Sequence, residues 1–108
     1  MADAKSEKSE INRFGGKPQP NSGRGQKNKG DAVLGPFLVD VKEYQKSYSV
    51  SRQNWAKVSV DARTAGFYHP ALNIVLGAPG EKRTRLWVIE DEMFQDMLAA
   101  WMKENPDG

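Results

Sequence analysis

Apolar positions along this chain fall in short runs whose spacing alternates between helical and extended periods. Ile11 and Phe14, three apart, make the stripe of a short helix predicted over residues 6–14, capped by Ser6 and ended by Gly15-Gly16. Glu7, four before Ile11, falls on or near the buried face of that helix, and Glu10 on its flank. Residues 1–5 are expected to be disordered. Residues 17–30 have almost no apolar content and read as a basic, flexible loop.

A tight β-hairpin follows. Asp31 opens its first arm, Gly35-Pro36 turns the chain, and Phe37-Leu38-Val39 is an apolar run of high β-propensity. On a strand, Val39 and Val41 face one way and Asp40 and Lys42 the other, so the two valines are the expected buried positions. Glu43 then falls on the face opposite Lys42. Residues 43–50 are polar with spaced aromatics and form an extended exit from the strand.

Trp55, Val58, Ala62 and Ala65 recur at helical spacing, which predicts a helix over residues 52–65 capped by Ser51 and stopped by Gly66. Trp55 is assigned to the core. Two apolar strands are expected at 71–76 and 84–89, separated by a turn at Gly77-Ala-Pro-Gly80. A last helix over 91–103 carries Met93, Phe94, Met97, Leu98 and Trp101 on one face. The order helix, hairpin, helix, strand, strand, helix is α/β. Its simplest packing is a central sheet covered by the first two helices.

Composition narrows the chemistry. With 108 residues the chain is one domain, assigned to residues 6–105. It has no cysteine and one histidine, which leaves no disulfide, no thiolate site and no basis for zinc. His69, beside a proline in a turn, is given no chemical role. No run reaches the length of a membrane span and no signal-peptide core opens the chain, so a soluble, cytoplasmic protein with no membrane partner is expected. Neither a nucleophilic triad nor a phosphate-binding loop of Walker spacing is present.

Net charge is +2 but unevenly spread: residues 1–30 hold seven Lys/Arg against three acids, and the remaining 78 hold nine against eleven. A basic segment leading into a carboxylate pair suggests a polyanion approaching that pair. Asp31 and Asp40, one at each end of a hairpin, suit a hard divalent ion. Mg²⁺ takes one or two carboxylates and completes its shell with water and phosphate. Lys42 beside Asp40 would hold or deprotonate the attacking water, or balance charge in the transition state. The competing reading of the hairpin alone is two solvated charges on an exposed face.

Asp31 followed by Asp40-Val41-Lys42 on an apolar strand resembles the PD-(D/E)xK nucleases, with Gly30 where the motif has proline. More of the chain resembles the small Holliday junction resolvase-like nucleases of bacteriophages, related to the archaeal resolvases. Glu7 lies on an opening helix before Gly15-Gly16. Asn21-Ser22-Gly23 and Lys29-Gly30-Asp31 lead into Phe37-Leu-Val-Asp40-Val-Lys42, and Ser47-Tyr-Ser-Val50 enters the next helix. Leu86-Trp-Val-Ile89 and an acid-capped helix with Phe94 close the pattern, which spans residues 6–100. Asp40 stands where glutamate is commoner.

The resemblance implies a restriction-endonuclease-like mixed central sheet flanked by helices and a metal-dependent DNA endonuclease of the resolvase type. It implies Glu7, Asp31 and Asp40 as Mg²⁺ ligands, with the Val41 carbonyl as a further oxygen and Mn²⁺ able to substitute. Glu7 is preferred to Glu10 for its distance from Gly15-Gly16. Lys42 is the implied catalytic lysine; Ser22, Arg24, Lys27 and Lys29 would grip phosphates; and four-way or branched DNA and a second copy of the chain are the implied partners. The apolar face of the last helix could serve that dimer or cover the sheet. A nuclease acting on other DNA structures and a non-catalytic nucleic-acid-binding domain are the alternatives.

Overall fold

A computed structural model describes residues 4–19 and 30–108. In chain order the elements are α1 (Ala4–Phe14), β1 (Lys17–Pro18), β2 (Ala32–Leu34), β3 (Phe37–Tyr44), α2 (Arg52–Gly66), β4 (His69–Leu76), β5 (Thr84–Ile89) and α3 (Asp91–Glu104). The strands form one five-stranded mixed sheet in the order β1-β2-β3-β4-β5. Among the described strands only β3 and β4 run parallel, with α2 as their crossover; the other pairs are antiparallel. Among the described residues no helix is long and apolar enough to cross a membrane.

The alternation along β3 sorts the two faces of the sheet. Val39 and Val41 join Ile11, Ala32 and Ala71 in a core beneath α1. Across the sheet, Leu72 and Ile74 pack against Val58 of α2, with Trp55, Tyr48 and Val88 around them. Asp40 lies beside Leu72 in the parallel register, so Asp40 and Lys42 stand on the α2 face. More of the hairpin is buried than Val39 and Val41: Ala32, Leu38 and Glu43 are buried too.

Ser51 caps α2 as the sequence requires, accepting the Asn54 amide at 3.0 Å. At the other end Gly66 is the last helical residue, and Phe67 takes the left-handed conformation beyond it, at φ 61°. Glycine suits position 66 because a Cβ there would sit 2.9 Å from the Tyr68 ring.

Several expectations at the N-terminal end are corrected. The first helix begins at Ala4, not at Ser6, so Ala4 and Lys5 are helical and Ser6 is no cap. The Ser6 hydroxyl instead donates to both carboxylate oxygens of Glu43, at 2.8 and 2.9 Å. Lys17 and Pro18, assigned to a loop, form a short edge strand on β2, a position that tolerates proline because no ladder amide is required of it. Glu10 is buried at 5% exposure, not flanking.

Helix α3 does not cover the sheet. It buries no residue, and Phe94, Met97, Trp101 and Met102 are each about half exposed.

Candidate functional site

The site forms where β2 stops and β3 continues. Strand β2 has three residues and β3 has eight, so the β2-facing side of β3 loses its strand partner beyond Val39. Asp31 takes over there. Its amide donates to the Val39 carbonyl at 2.9 Å, and its Oδ2 accepts the Val41 amide at 2.6 Å. An extended residue's amide and carbonyl point to the same side, so the Val41 carbonyl faces this gap as well.

Gly30 sets the approach to Asp31. Its φ is +78°, and a Cβ there would lie 2.6 Å from Cγ of Leu38, a residue 2% exposed. Proline, fixed near φ −65°, could not take this conformation. The chain's departure from a Pro-Asp motif is therefore built into its backbone path.

At that gap Asp31 adjoins Glu7 and also acts on Asp40, and the Lys42 charge acts on both aspartates. Burial pushes the Asp31 carboxyl up to about 6. The bond from the Val41 amide and the Lys42 charge oppose the rise, and the Glu7 carboxyl lying against it adds to it. Asp40 is also pushed up to about 6, first by burial and then by the charge of Asp31, with Lys42 acting in the opposite sense. The Lys42 ammonium lies 6.0 Å from the centre of the Tyr48 ring, which itself stacks obliquely on Tyr44 at 5.2 Å. Glu7, Asp31, Asp40 and Lys42 thus share one neighbourhood, although they come from α1, the β2 approach and β3.

Two neighbours were not singled out from sequence. Asp61 and Lys57 on α2 pair at 3.5 Å, and both act on Asp40, the carboxylate raising its pKa and the ammonium lowering it. Their signal was available: each directly precedes a buried position of α2, Ala62 and Val58, and so flanks its inner face. Glu43 does point away, onto the α1 face, where Ser6 and Arg83 hold it. Glu10 is held by Arg85 through two bonds, at 3.0 and 3.1 Å, which hold its carboxyl below the usual range. Fully engaged there, Glu10 is no candidate ligand, which favours Glu7. His69 pairs with Glu90 at 3.4 Å beside α3. Ser22, Arg24, Lys27 and Lys29 lie outside the described residues.

Among the described residues, no three carboxylates or histidines converge closely enough to cage an ion alone. The donor set does suit an ion of the magnesium type, which needs only one or two carboxylates plus water and phosphate. Asp31 and Asp40 are partly buried acids; the charge of Glu7 raises the proton affinity of Asp31, that of Asp31 raises the proton affinity of Asp40, and a divalent cation would relieve both repulsions. No family model, no curated protein and no solved structure matches the chain.

Proposed function

We propose that this protein is a metal-dependent endonuclease acting on branched DNA, of the PD-(D/E)xK type and the Holliday junction resolvase class. The observation that carries this reading is the meeting of Glu7, Asp31, Asp40 and Lys42 at the point where β2 ends. Glu7 lies 24 residues before Asp31 in the chain. A purely structural set of acids would be neutralised by fixed cations, as Glu10 is by Arg85. Asp31 and Asp40 instead keep raised pKa values against the Val41 amide bonded to Asp31 and the charges of Lys42 and Lys57.

In this mechanism Asp31 and Asp40 would hold Mg²⁺, with Glu7 and the Val41 carbonyl as further oxygen ligands. The bound ion supplies a water of lowered pKa and charge stabilisation for the scissile phosphate. Lys42, on the same face as Asp40, would hold or deprotonate the attacking water, or neutralise charge on the phosphate. Arg24, Lys27 and Lys29, with Ser22, bind the phosphate backbone on the approach to Asp31.

A second copy of the chain is the proposed partner, since a four-way junction presents two strands to cut. The apolar surface for it is β5 and α3. Among the described residues β5 is an edge strand with only β4 beside it, and Leu86, Trp87, Phe94, Met97, Trp101 and Met102 are 43–53% exposed. Exposed apolar side chains beside an unpaired strand edge are what association covers.

The deciding experiment incubates the protein with labelled four-way junction, duplex and single-stranded DNA, in Mg²⁺ or in EDTA. Mg²⁺-dependent cleavage of the junction is expected. Binding without cleavage in either condition would favour the non-catalytic DNA-binding reading, and cleavage of all three substrates alike a nuclease of broader choice.

A further inference from the structure

We infer that Arg85 and Glu10, with Glu43 and Ser6, are positioning residues that clamp the first half of α1 to the sheet and so present Glu7 to Asp31. The inference rests on the metal-site reading above.

Helix α1 has 11 residues, too few to be stable in isolation. Among its described side chains, the apolar hold lies in the last turns. Ile11 is buried at 3%, and Phe14 meets the Trp87 ring edge-on at 5.1 Å. The half that carries Glu7 has a different attachment. One residue before Glu7, the Ser6 hydroxyl donates to both oxygens of Glu43, a sheet residue 4% exposed. Three residues after it, Glu10 accepts from Nε and Nη2 of Arg85 on β5. Arg13 reaches Glu10 at 3.4 Å, and Arg83 reaches Glu43 at 3.5 Å.

Two buried glutamates, one on the helix and one on the sheet, thus bracket Glu7 with bonds running in opposite senses. Planar, two-pronged arginine–carboxylate contact fixes orientation as well as distance. The clamp also has something to oppose. Glu7 lies against Asp31, and the like charges of the two carboxylates oppose that close approach. A divalent cation between those carboxylates would reverse that force. Clamp and cation therefore favour the same docked helix, and loss of one is felt as weakened action of the other.

The test compares wild type with Arg85→Ala, Arg85→Lys and Ser6→Ala in three measurements. These are calorimetric Mg²⁺ titration without DNA, amide hydrogen exchange along α1, and junction cleavage as a function of Mg²⁺. Arg85→Ala is expected to weaken Mg²⁺ binding about 10–100-fold, the range for loss of a residue that orients a metal ligand. Half-saturation of cleavage should shift by the same factor, with turnover at saturating Mg²⁺ within about twofold of wild type. Exchange in α1 should quicken while β3 and β4 stay protected. Arg85→Lys should recover part of the loss. Ser6→Ala, which removes one hydroxyl and leaves Glu10 paired, should show a smaller shift of the same kind and serves if Arg85→Ala does not fold.

Faster exchange in α1 with unchanged Mg²⁺ affinity would overturn the clamp while leaving the metal site standing. Wild-type protein that neither binds Mg²⁺ nor cleaves would overturn the metal site itself, and the clamp's role with it.

Discussion

Asp31 and Val41 are joined by a 2.6 Å bond from a backbone amide to a carboxylate, made where the neighbouring strand has already ended. The carboxylate thus serves the sheet and the candidate site together, and two substitutions separate the roles. Asp31→Asn keeps an oxygen for the Val41 amide and removes the charge; Asp31→Ala removes both. Asparagine should abolish junction cleavage without lowering stability, and should raise it in EDTA above pH 6, where the buried charge is otherwise unfavourable; binding should be unchanged or tighter because a negative charge near phosphate is gone. Alanine should in addition cost about 1–3 kcal/mol for the unpaired amide, read from denaturant melts. Asp40→Asn should behave as Asp31→Asn does. Wild-type cleavage in either asparagine variant would remove these acids from the site.

The same two acids give stability a pH dependence of unusual sign. Asp31 and Asp40 hold protons up to about 6 in the folded chain, against 3.8 when unfolded. Between these values the folded state binds more protons, so metal-free stability should fall as pH rises from about 4 to 6. The loss is on the order of 3 kcal/mol for an isolated group, and less than twice that for two acids that feel each other. Glu10 runs the other way. Its lowered pKa gives stability that is present above its ordinary 4.5 and disappears as pH falls through the lowered value. Melts in EDTA should therefore show a maximum near pH 4–5, and Mg²⁺ should stabilise most above pH 6. A metal-free profile that rises steadily to pH 7 would contradict the assignment.

Gly30→Ala probes the backbone path into the site. The left-handed φ and the contact with buried Leu38 each penalise a methyl group, together by about 2–4 kcal/mol. Denaturant unfolding measures this directly. A loss under about 0.5 kcal/mol would mean that the turn relaxes and that glycine is not required here.

Most of the fold could be read from periodicity, and the exceptions have physical causes. β5 was expected at the residues where it lies, because its apolar run is bounded by clear turn signals. β1 was missed because two polar-flanked residues, one of them proline, carry no period at all. Glu10 was misplaced because one glutamate on a helix flank resembles any other. Its burial depends on Arg85, 75 residues away, and no local pattern reports that. The meeting of Asp31 and Asp40 was legible from the hairpin. The addition of Asp61 and Lys57 required knowing that α2, not another element, covers Asp40's face of the sheet.

Arg24, Lys27 and Lys29 belong to the basic segment preceding Asp31. Their joint replacement by alanine should weaken DNA binding and flatten its dependence on salt by up to about three phosphate contacts. Fluorescence anisotropy on a labelled junction over a salt series reads both. An unchanged slope would make this segment a linker.

Lys42 separates catalysis from binding. It shares a strand face with Asp40, and its charge lowers the pKa of both Asp40 and Asp31. Lys42→Ala leaves the carboxylates, the bond between Asp31 and Val41, and the buried Val39 and Val41 in place, so the hairpin should still fold. Turnover at saturating junction should fall about 10²–10⁴-fold, with affinity changed by no more than one phosphate contact. A second effect follows from the electrostatics. Without the neighbouring ammonium, Asp31 and Asp40 hold their protons to higher pH, so the acid limb of the residual activity should move upward. An outer-lying phosphate anchor would not shift that limb, whereas a lysine placed among the metal's carboxylates must. If turnover holds, the limb stays and only affinity drops, Lys42 is a DNA contact and the Asp-x-Lys element loses its catalytic member.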